Sequence, residues 1–406
     1  MATTTVTPQM LAINGGKPVR ETLLPYGRQL IEESDIEAVV GVLRSDWLTT
    51  GPKVAEFEEA FASRLGSTHA ISFNSGTAAL HAAAFAAGLG RADEAITTPM
   101  TFAATANCLL YQGAIPVFAD VSGDTLNLDP EQISSKISSK TKAILPVDYS
   151  GHPADLASII ELARNHNLIV IEDACHALGA EYGGQKVGAI ADMTVFSFHP
   201  VKHITTGEGG MVTTNNAQLA ENLRRFRNHG ISSEARARQK AGQWHYEMVA
   251  LGYNYRLPDF ACALGIQQLK RLDQNLARRR AIAAKYNTAF RNLCGVMVPT
   301  VRADVNPAWH LYPIRLDLER LTVGRAEIFR ALRAENIGVS VHYIPVHYHP
   351  YYREQFGSRD GEFPVAENAY TRLISLPMCH GMSDQDVEDV IAAVEKVIRY
   401  FSNGTF

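Results

Sequence analysis

Seven short apolar runs recur along this chain with helical stretches between them: "HAISF" (69–73), "EAITT", "IPVFA", "KAILPV", "LIVIED", "MTVFSF" and "GMVTT". Several are β-branched and show no alternation of polar with apolar residues. A strand that is apolar at every position must be covered on both faces. Such runs between helices therefore predict a mostly parallel sheet with helices on either side, the doubly wound α/β pattern. In sheets of this kind ligands bind beyond the carboxyl ends of the strands.

The remaining pattern is coarser. Ser34 and Glu37 in "SDIEAVVGVLR" are spaced as a capping box ahead of an apolar periodic run. Two helices carrying the basic run "LARRR" are expected near 258–293. From about residue 300 the order changes to "WHLYPIRL", a helix at 324–335, "IGVSVHYIPVH" and closing helices at 364–372 and 384–399. The expected organisation is an N-terminal segment with a large α/β domain (1–270) and a smaller C-terminal α+β domain (271–406).

Bulk properties narrow the function classes. The 406 residues suffice for two cores, and the net charge of −4 disfavours nucleic acid or an anionic membrane as partner. No apolar run approaches a bilayer span, and "MATTTVTPQMLAINGGKPVR" lacks the basic and apolar regions of a signal peptide. Five scattered cysteines, odd in number and never in C-x-x-C spacing, read as reduced thiols of a cytoplasmic enzyme. The basic runs "EARARQK" and "LARRR" read as solvated helix faces.

Three strand ends carry polar residues that packing does not demand. In "FNSGTAAL", Ser75, Gly76 and Thr77 open a helix whose free N–H groups suit a phosphate, although an ordinary N-cap has the same appearance. In "LIVIEDACHALGA", Asp173 closes an apolar strand with His176 three residues on, on the same side if a helix begins there. A carboxylate so placed pairs with a cationic ring nitrogen, ligates a metal or caps a helix. In "SFHPVKHITTGEGG", Lys202 follows a strand and precedes glycines. As a nucleophile its amine must be partly neutral, which burial or a neighbouring positive charge, such as one on His203, would promote; otherwise it is a solvated lysine. "TTGEGG" has neither dinucleotide-site nor P-loop spacing. Together, a phosphate cradle, a strand-end aspartate and a strand-end lysine match the needs of pyridoxal phosphate: N–H donors, a partner for the ring nitrogen and an amine for the aldehyde.

The phrases "EDACHALGAEY", "SFHPVKHITTGEGGMV", "FRNHGI", "LGYNYRLPDFACALGI" and "VHYIPVHYHPYY" resemble the fold-type-I, pyridoxal-phosphate-dependent aminotransferases that act on nucleotide-linked keto-sugars, the DegT/DnrJ/EryC1/StrS family. The likeness runs from "LPYGRQ" to "ISLPMCHGMSDQDV" and is greatest to the branch serving pseudaminic acid synthesis. It implies that L-glutamate gives its amine to the cofactor and leaves as 2-oxoglutarate. The amine then passes to the C4 ketone of a UDP-linked 2-acetamido-2,6-dideoxy-hexos-4-ulose. It further implies Lys202 as the cofactor-bearing and proton-moving residue, Asp173 on the ring nitrogen and His176 near the ring or its phenolic oxygen. Phe102 would stack on the ring, where alone it reads as a core aromatic. Gly76, Thr77 and Ser197 would hold the phosphate, joined across a homodimer interface by Asn254 of the neighbouring subunit.

For the sugar nucleotide, the resemblance points to Tyr26, to Asp46, Trp47, Leu48 and Thr49 of "SDWLTTGP", and to His342, Tyr343 and His347. Read instead as metal ligands, His342, His347 and His349 lack a matching acidic or cysteine set, so no metal is expected. A dehydrating branch of the family has histidine in place of the lysine, so Lys202 favours amino transfer. The alternatives are another nucleotide-linked keto-sugar (dTDP- or GDP-linked) or a non-catalytic pyridoxal-phosphate protein acting in regulation.

Overall fold

A computed structural model describes residues 10–232, 238 and 241–403. Among them, the strands β1 (His69–Phe73), β2 (Glu94–Thr97), β3 (Ile115–Phe118), β4 (Thr141–Leu145) and β5 (Ile169–Asp173) are followed by two short ones, β6 (Glu181–Tyr182) and β7 (Gln185–Lys186). Then come β8 (Met193–Ser197) and β9 (Gly210–Thr214). The main sheet has seven strands in the order β1-β9-β8-β5-β4-β2-β3. The pairs β8–β5, β5–β4, β4–β2 and β2–β3 are parallel, whereas β9 runs antiparallel to both β8 and β1. The sheet is thus mostly parallel, with the expected strands in place and one reversed member.

Both faces are apolar because alternate residues along each strand serve different helices. Ile71, Phe73, Ala143, Leu145, Ile171, Val195 and Val212 pack with the alanines of helix Gly76–Ala86 and with Leu223 and Phe226 of helix Ala217–Arg227. On the other face, Ala70, Phe196 and Met211 meet helices Pro52–Leu65 and Asp259–Lys270, and Ile96, Ile144 and Val170 meet helix Leu156–His166. Small side chains at Ala79, Ala82, Ala83 and Ala84, all without exposed surface, let helix Gly76–Ala86 lie close over the sheet centre.

A second, antiparallel sheet joins β10 (Val296–Met297), β12 (Tyr312–Leu316) and β13 (Leu373–Leu376). Helices Leu272–Phe290, Arg325–Ala334 and Asp384–Phe401 cover it. Leu11 and Leu24 sit in this second core although they precede the large sheet in the chain. Glu335 fixes them there, accepting from the amides of Ala12 and Val19 at 2.9 Å each and from Lys396. The remaining short strand, β11 (Val305–Asn306), pairs with β6.

Two local expectations are corrected. The first long helix spans Glu33–Leu43, and its capping box is formed by Glu32 and Asp35, not Ser34 and Glu37. The carboxylate of Asp35 reaches back to the Glu32 amide at 2.9 Å and is held by Gln268 and Arg271, so a tertiary contact sets the helix start. After Asp173 the chain runs through turns, not a helix.

Candidate active site

The carboxyl ends of β1, β2, β5 and β8 open into one cavity of about 460 Å³, lined among others by Ser75, Gly76, Thr77, Phe102, Asp173, His176, Ser197 and Lys202. Each side chain arrives there for a local reason. β1 passes into helix Gly76–Ala86 through Ser75, whose extended backbone lets its hydroxyl accept from the Ala78 amide at 3.0 Å. Ser75 is therefore the N-cap. The amides of Gly76 and Thr77, in the first turn, have no carbonyl one turn ahead to bond, and the helix dipole favours an anion beside them. Gly76 is packed on β8: a Cβ there would stand 3.0 Å from Ser197 Cβ and 3.2 Å from its hydroxyl. Two strand ends far apart in the sequence thus close on a single cavity lined by Gly76, Thr77 and Ser197.

Asp173 is 6% exposed. Its main chain is tied to the β4 end by Asp173 N–H to Pro146 O (2.9 Å) and Asp148 N–H to Asp173 O (3.1 Å). Its carboxylate accepts from the Thr105 hydroxyl at 2.6 Å and from the Cys175 amide at 3.2 Å. Thr101 lies 2.8 Å behind Thr105 and extends the chain of hydroxyls. Beneath it, Asp148 and Glu172 are both fully buried. Burial first, and then their mutual charge and that of Asp173, hold Asp148 well above the carboxylate range. Glu172 is pushed up to about 7, chiefly by burial. Each carries one oxygen with no donor, as expected where two facing carboxyls share a proton.

Lys202 stands on the connection from β8 to β9. Phe198 N–H donates to Gly209 O (2.8 Å), Thr206 N–H to Phe198 O (3.1 Å) and Lys202 N–H to His199 O (2.9 Å). Gly207, at φ +82°, provides the left-handed turn in the middle. The Lys202 amine is 3.5 Å from His310 Nε2, and burial pulls its pKa below the ordinary lysine value, Arg279 adding to the effect while Cys175 and Asp173 oppose it. His203 is not the neighbouring positive charge expected. It is buried with Nε2 3.0 Å from Ala308 O, and burial holds its pKa well below the usual imidazole value, so it stays neutral.

His176 is oriented by Nε2, 2.9 Å from the Tyr343 hydroxyl, and its Nδ1 has no partner. Burial, reinforced by Lys202, keeps it neutral. The Phe102 ring is 61% exposed, with its nearest aromatic neighbour Tyr343 at 6.0 Å, which is not how a core aromatic sits. Tyr26 and His342 close the outer wall with rings 5.4 Å apart, His342 Nδ1 lying 2.9 Å from the Ser375 hydroxyl. Burial lowers the His342 pKa to about 4.

Other expected residues lie elsewhere. His347 is fully buried against Glu367 at 3.1 Å and packs on Phe363, away from the cavity. Asp46, Trp47, Leu48 and Thr49 are exposed and do not line the cavity; Trp47 borders a separate cleft with Asp259. Asn254 is exposed, and its carbonyl accepts from Asn74 Nδ2 at 3.4 Å. Its side chain is not in this chain's cavity. The run "EARARQK" lies outside the described residues except for Arg238. "LARRR" is not a uniformly solvated face, because Arg279 is fully buried. Sequence reasoning missed His310, which reads as the start of a strand, and Thr105, which reads as helix interior. Among the described residues, no group of three or more His, Cys, Asp or Glu side chains is placed to hold a metal, and no helix is long and apolar enough to cross a membrane.

A lysine, a strand-end aspartate and an anion pocket on one parallel sheet agree with what comparison of the whole chain finds. The sequence profile of the DegT/DnrJ/EryC1/StrS aminotransferase family matches residues 29–395. The chain belongs to that family. SpsC of Bacillus subtilis, a spore coat polysaccharide biosynthesis protein, is 46% identical over 94% of this chain and 98% of its own length. Among solved structures, Helicobacter pylori PseC, an aminotransferase of pseudaminic acid biosynthesis, superposes with a TM-score of 0.87 at 34% identity, covering 94% of this chain and all of its own. Spr1654 of Streptococcus pneumoniae, described as a sugar aminotransferase, has been solved in a PLP form and a PMP form; the PMP form gives a TM-score of 0.87 at 30% identity over 93% of this chain and 99% of its own. The architecture is that of the DegT/DnrJ/EryC1/StrS aminotransferases, the fold-type-I arrangement.

Proposed function

We propose that this protein uses pyridoxal phosphate to move an amino group from L-glutamate to the C4 ketone of UDP-2-acetamido-2,6-dideoxy-β-L-arabino-hexos-4-ulose. The product is a UDP-4-amino sugar for pseudaminic acid synthesis, made by a homodimer with shared active sites. The observation that carries the proposal is the convergence of Lys202, Asp173 and the Gly76–Thr77 helix start on one cavity of about 460 Å³. The residues fit the cofactor. Gly76 lies where any side chain would crowd Ser197, His176 has an unpartnered buried Nδ1, and Phe102 offers an uncovered ring face. The likeness to PseC supports the sugar class, and Asn254, exposed at the surface, is available to the neighbouring subunit.

When bound, pyridoxal phosphate supplies an aldehyde that carries the amino group and a ring that disperses negative charge. The amides of Gly76 and Thr77 with the Ser197 hydroxyl would bind its phosphate. Asp173, oriented by the Thr105 hydroxyl and the Cys175 amide, would hold a proton on the ring nitrogen, and Phe102 would cover one ring face and exclude water. Lys202 Nζ, released from the cofactor, would take the proton from the donor's Cα and return one to the sugar's C4. Tyr26, His342 and Tyr343 would orient the sugar at the cavity mouth.

The test is amino transfer from L-glutamate to UDP-, dTDP- and GDP-linked 4-keto-sugars, with each amine product's configuration read by NMR. The UDP sugar is expected to react best, and Lys202→Ala to abolish transfer and the visible absorption of the bound cofactor. Transfer retained by that variant, or preference for a dTDP or GDP sugar, would overturn the respective part of the proposal.

A further inference from the structure

One charge in the interior is unlike the others. Arg279, on helix Leu272–Phe290, has no exposed surface, and its hydrogen-bond partners among the described residues are all main-chain carbonyls. Nη1 donates to Trp309 O (3.0 Å), His310 O (3.2 Å) and Met378 O (3.1 Å), and Nη2 to Val201 O (3.5 Å), while Nε has no partner. Carbonyl dipoles solvate a cation but do not cancel its charge, and a buried charge ordinarily has a counter-ion. The carbonyls are not arbitrary either. Val201 immediately precedes Lys202, and His310 carries the ring whose Nε2 is 3.5 Å from the Lys202 amine.

The groups facing that amine come from several elements: Asp173 and Cys175 at the β5 end, His176 in the following turn, and His203 beside it on its own loop. His310, His342 and Tyr343 face it from the chain beyond β11. Burial keeps His176, His203, His310 and His342 neutral, and Arg279 itself is lowered only to about 10, so it stays protonated at neutral pH. Arg279 is thus the fixed positive charge in the set, opposed to the carboxylate of Asp173; the titratable groups beside Arg279 itself are the Cys379 thiol and the imidazoles of His203, His310 and His380.

We propose that Arg279 is a positioning residue for Lys202: its guanidinium ties the lysine loop, through Val201, to the segments carrying Trp309, His310 and Met378, and its positive charge favours the uncharged, nucleophilic form of the amine. The proposal rests on the assignment of Lys202 to the cofactor.

Trace acetylation of the full chain by acetic anhydride across a pH series, with Lys202 quantified by peptide mass, reads the fraction of neutral amine directly. In the unaltered chain the midpoint should fall below the ordinary lysine value of about 10.4. Arg279→Gln should move it upward and lower acetylation at neutral pH several-fold, since a midpoint one pH unit higher leaves about tenfold less neutral amine. Arg279→Lys keeps the charge and should keep the midpoint. A midpoint at or above the ordinary value in the unaltered chain overturns the proposal, whether or not a variant folds. So does an unmoved midpoint in an Arg279→Gln protein whose melting curve is cooperative, or a midpoint change in Arg279→Lys as large as in Arg279→Gln. The cofactor assignment fails separately, if borohydride reduction of the chain loaded with pyridoxal phosphate marks a lysine other than Lys202.

Discussion

Substituting Gly210 with alanine attacks the proposed phosphate cradle without removing a polar group. Gly210 opens β9 opposite Ser197 and Phe73. A Cβ there would stand 2.5 Å from Ser75 O, 2.7 Å from Ser75 C and 2.9 Å from Gly76 Cα. All three are main-chain atoms at the start of helix Gly76–Ala86, so relief requires moving the helix start or the strand. Overpacking of this kind costs about 1–3 kcal/mol. For 406 residues unfolding together, that lowers Tm by roughly 1–3 °C. The larger effect is on binding. If the displaced helix loses one amide bond to a phosphate, the loss of about 1.5–3 kcal/mol weakens pyridoxal phosphate roughly ten- to hundredfold. Equilibrium dialysis of the cofactor against Gly210→Ala, beside a thermal melt, measures both. A Kd within twofold of the unaltered protein would refute the idea that Gly210 keeps the cradle open.

Three further outcomes are expected. Asp173→Ala should leave the melt nearly unchanged but cut amino transfer on the order of hundredfold or more, because the ring nitrogen loses its charged partner; near-normal turnover would mean the carboxylate acts elsewhere. Glu172, whose pKa is raised to about 7, favours the fold when protonated, so its contribution is full at low pH and is lost as pH rises through about 7. Glu172→Gln should therefore gain in unfolding free energy relative to the unaltered chain between pH 5 and 8, by on the order of 2–3 kcal/mol, and a difference constant with pH would sink this account. Gly41→Ala, inside helix Glu33–Leu43 with nothing within 4 Å of the added Cβ, should stabilise by about 0.5–1 kcal/mol; a lowered denaturation midpoint would show that the surrounding cleft needs the space.

The strands were legible because burial on both faces leaves an uninterrupted apolar run, and Lys202, Asp173 and Gly76 because each ends or follows such a run. The reversed direction of β9 was not, since "GMVTT" is buried on both faces whichever way it points. Arg279 was hidden for a related reason. In "LARRR" three arginines read alike, yet a turn of 100° per residue sends Arg278 to Asp384 on the surface and Arg279 inward. The Glu32–Asp35 cap lost to Ser34 and Glu37 in sequence because what selects it, Gln268 and Arg271, is distant in the chain. His347 looked like its neighbours in "HYIPVHYHP", and only the contact with Glu367 separates it from His342. Side chains that work through remote partners leave little trace in their own surroundings.

The reversed strand also has a bearing on when the protein becomes competent. The proposed phosphate cradle packs Ser75 and Gly76 against Ser197 and Gly210, and β9, which brings the last of these, inserts between β8 and β1. Strand pairs so distant in sequence form late, because the closure of a long loop must precede any gain from the contact. A ribosome-bound chain that has exposed only β1 to β5 already has its helix start and its aspartate, but no cradle. Capture of pyridoxal phosphate is therefore expected to mark the completion of the sheet rather than to guide its early assembly, and a chain cut before β9 should not retain the cofactor.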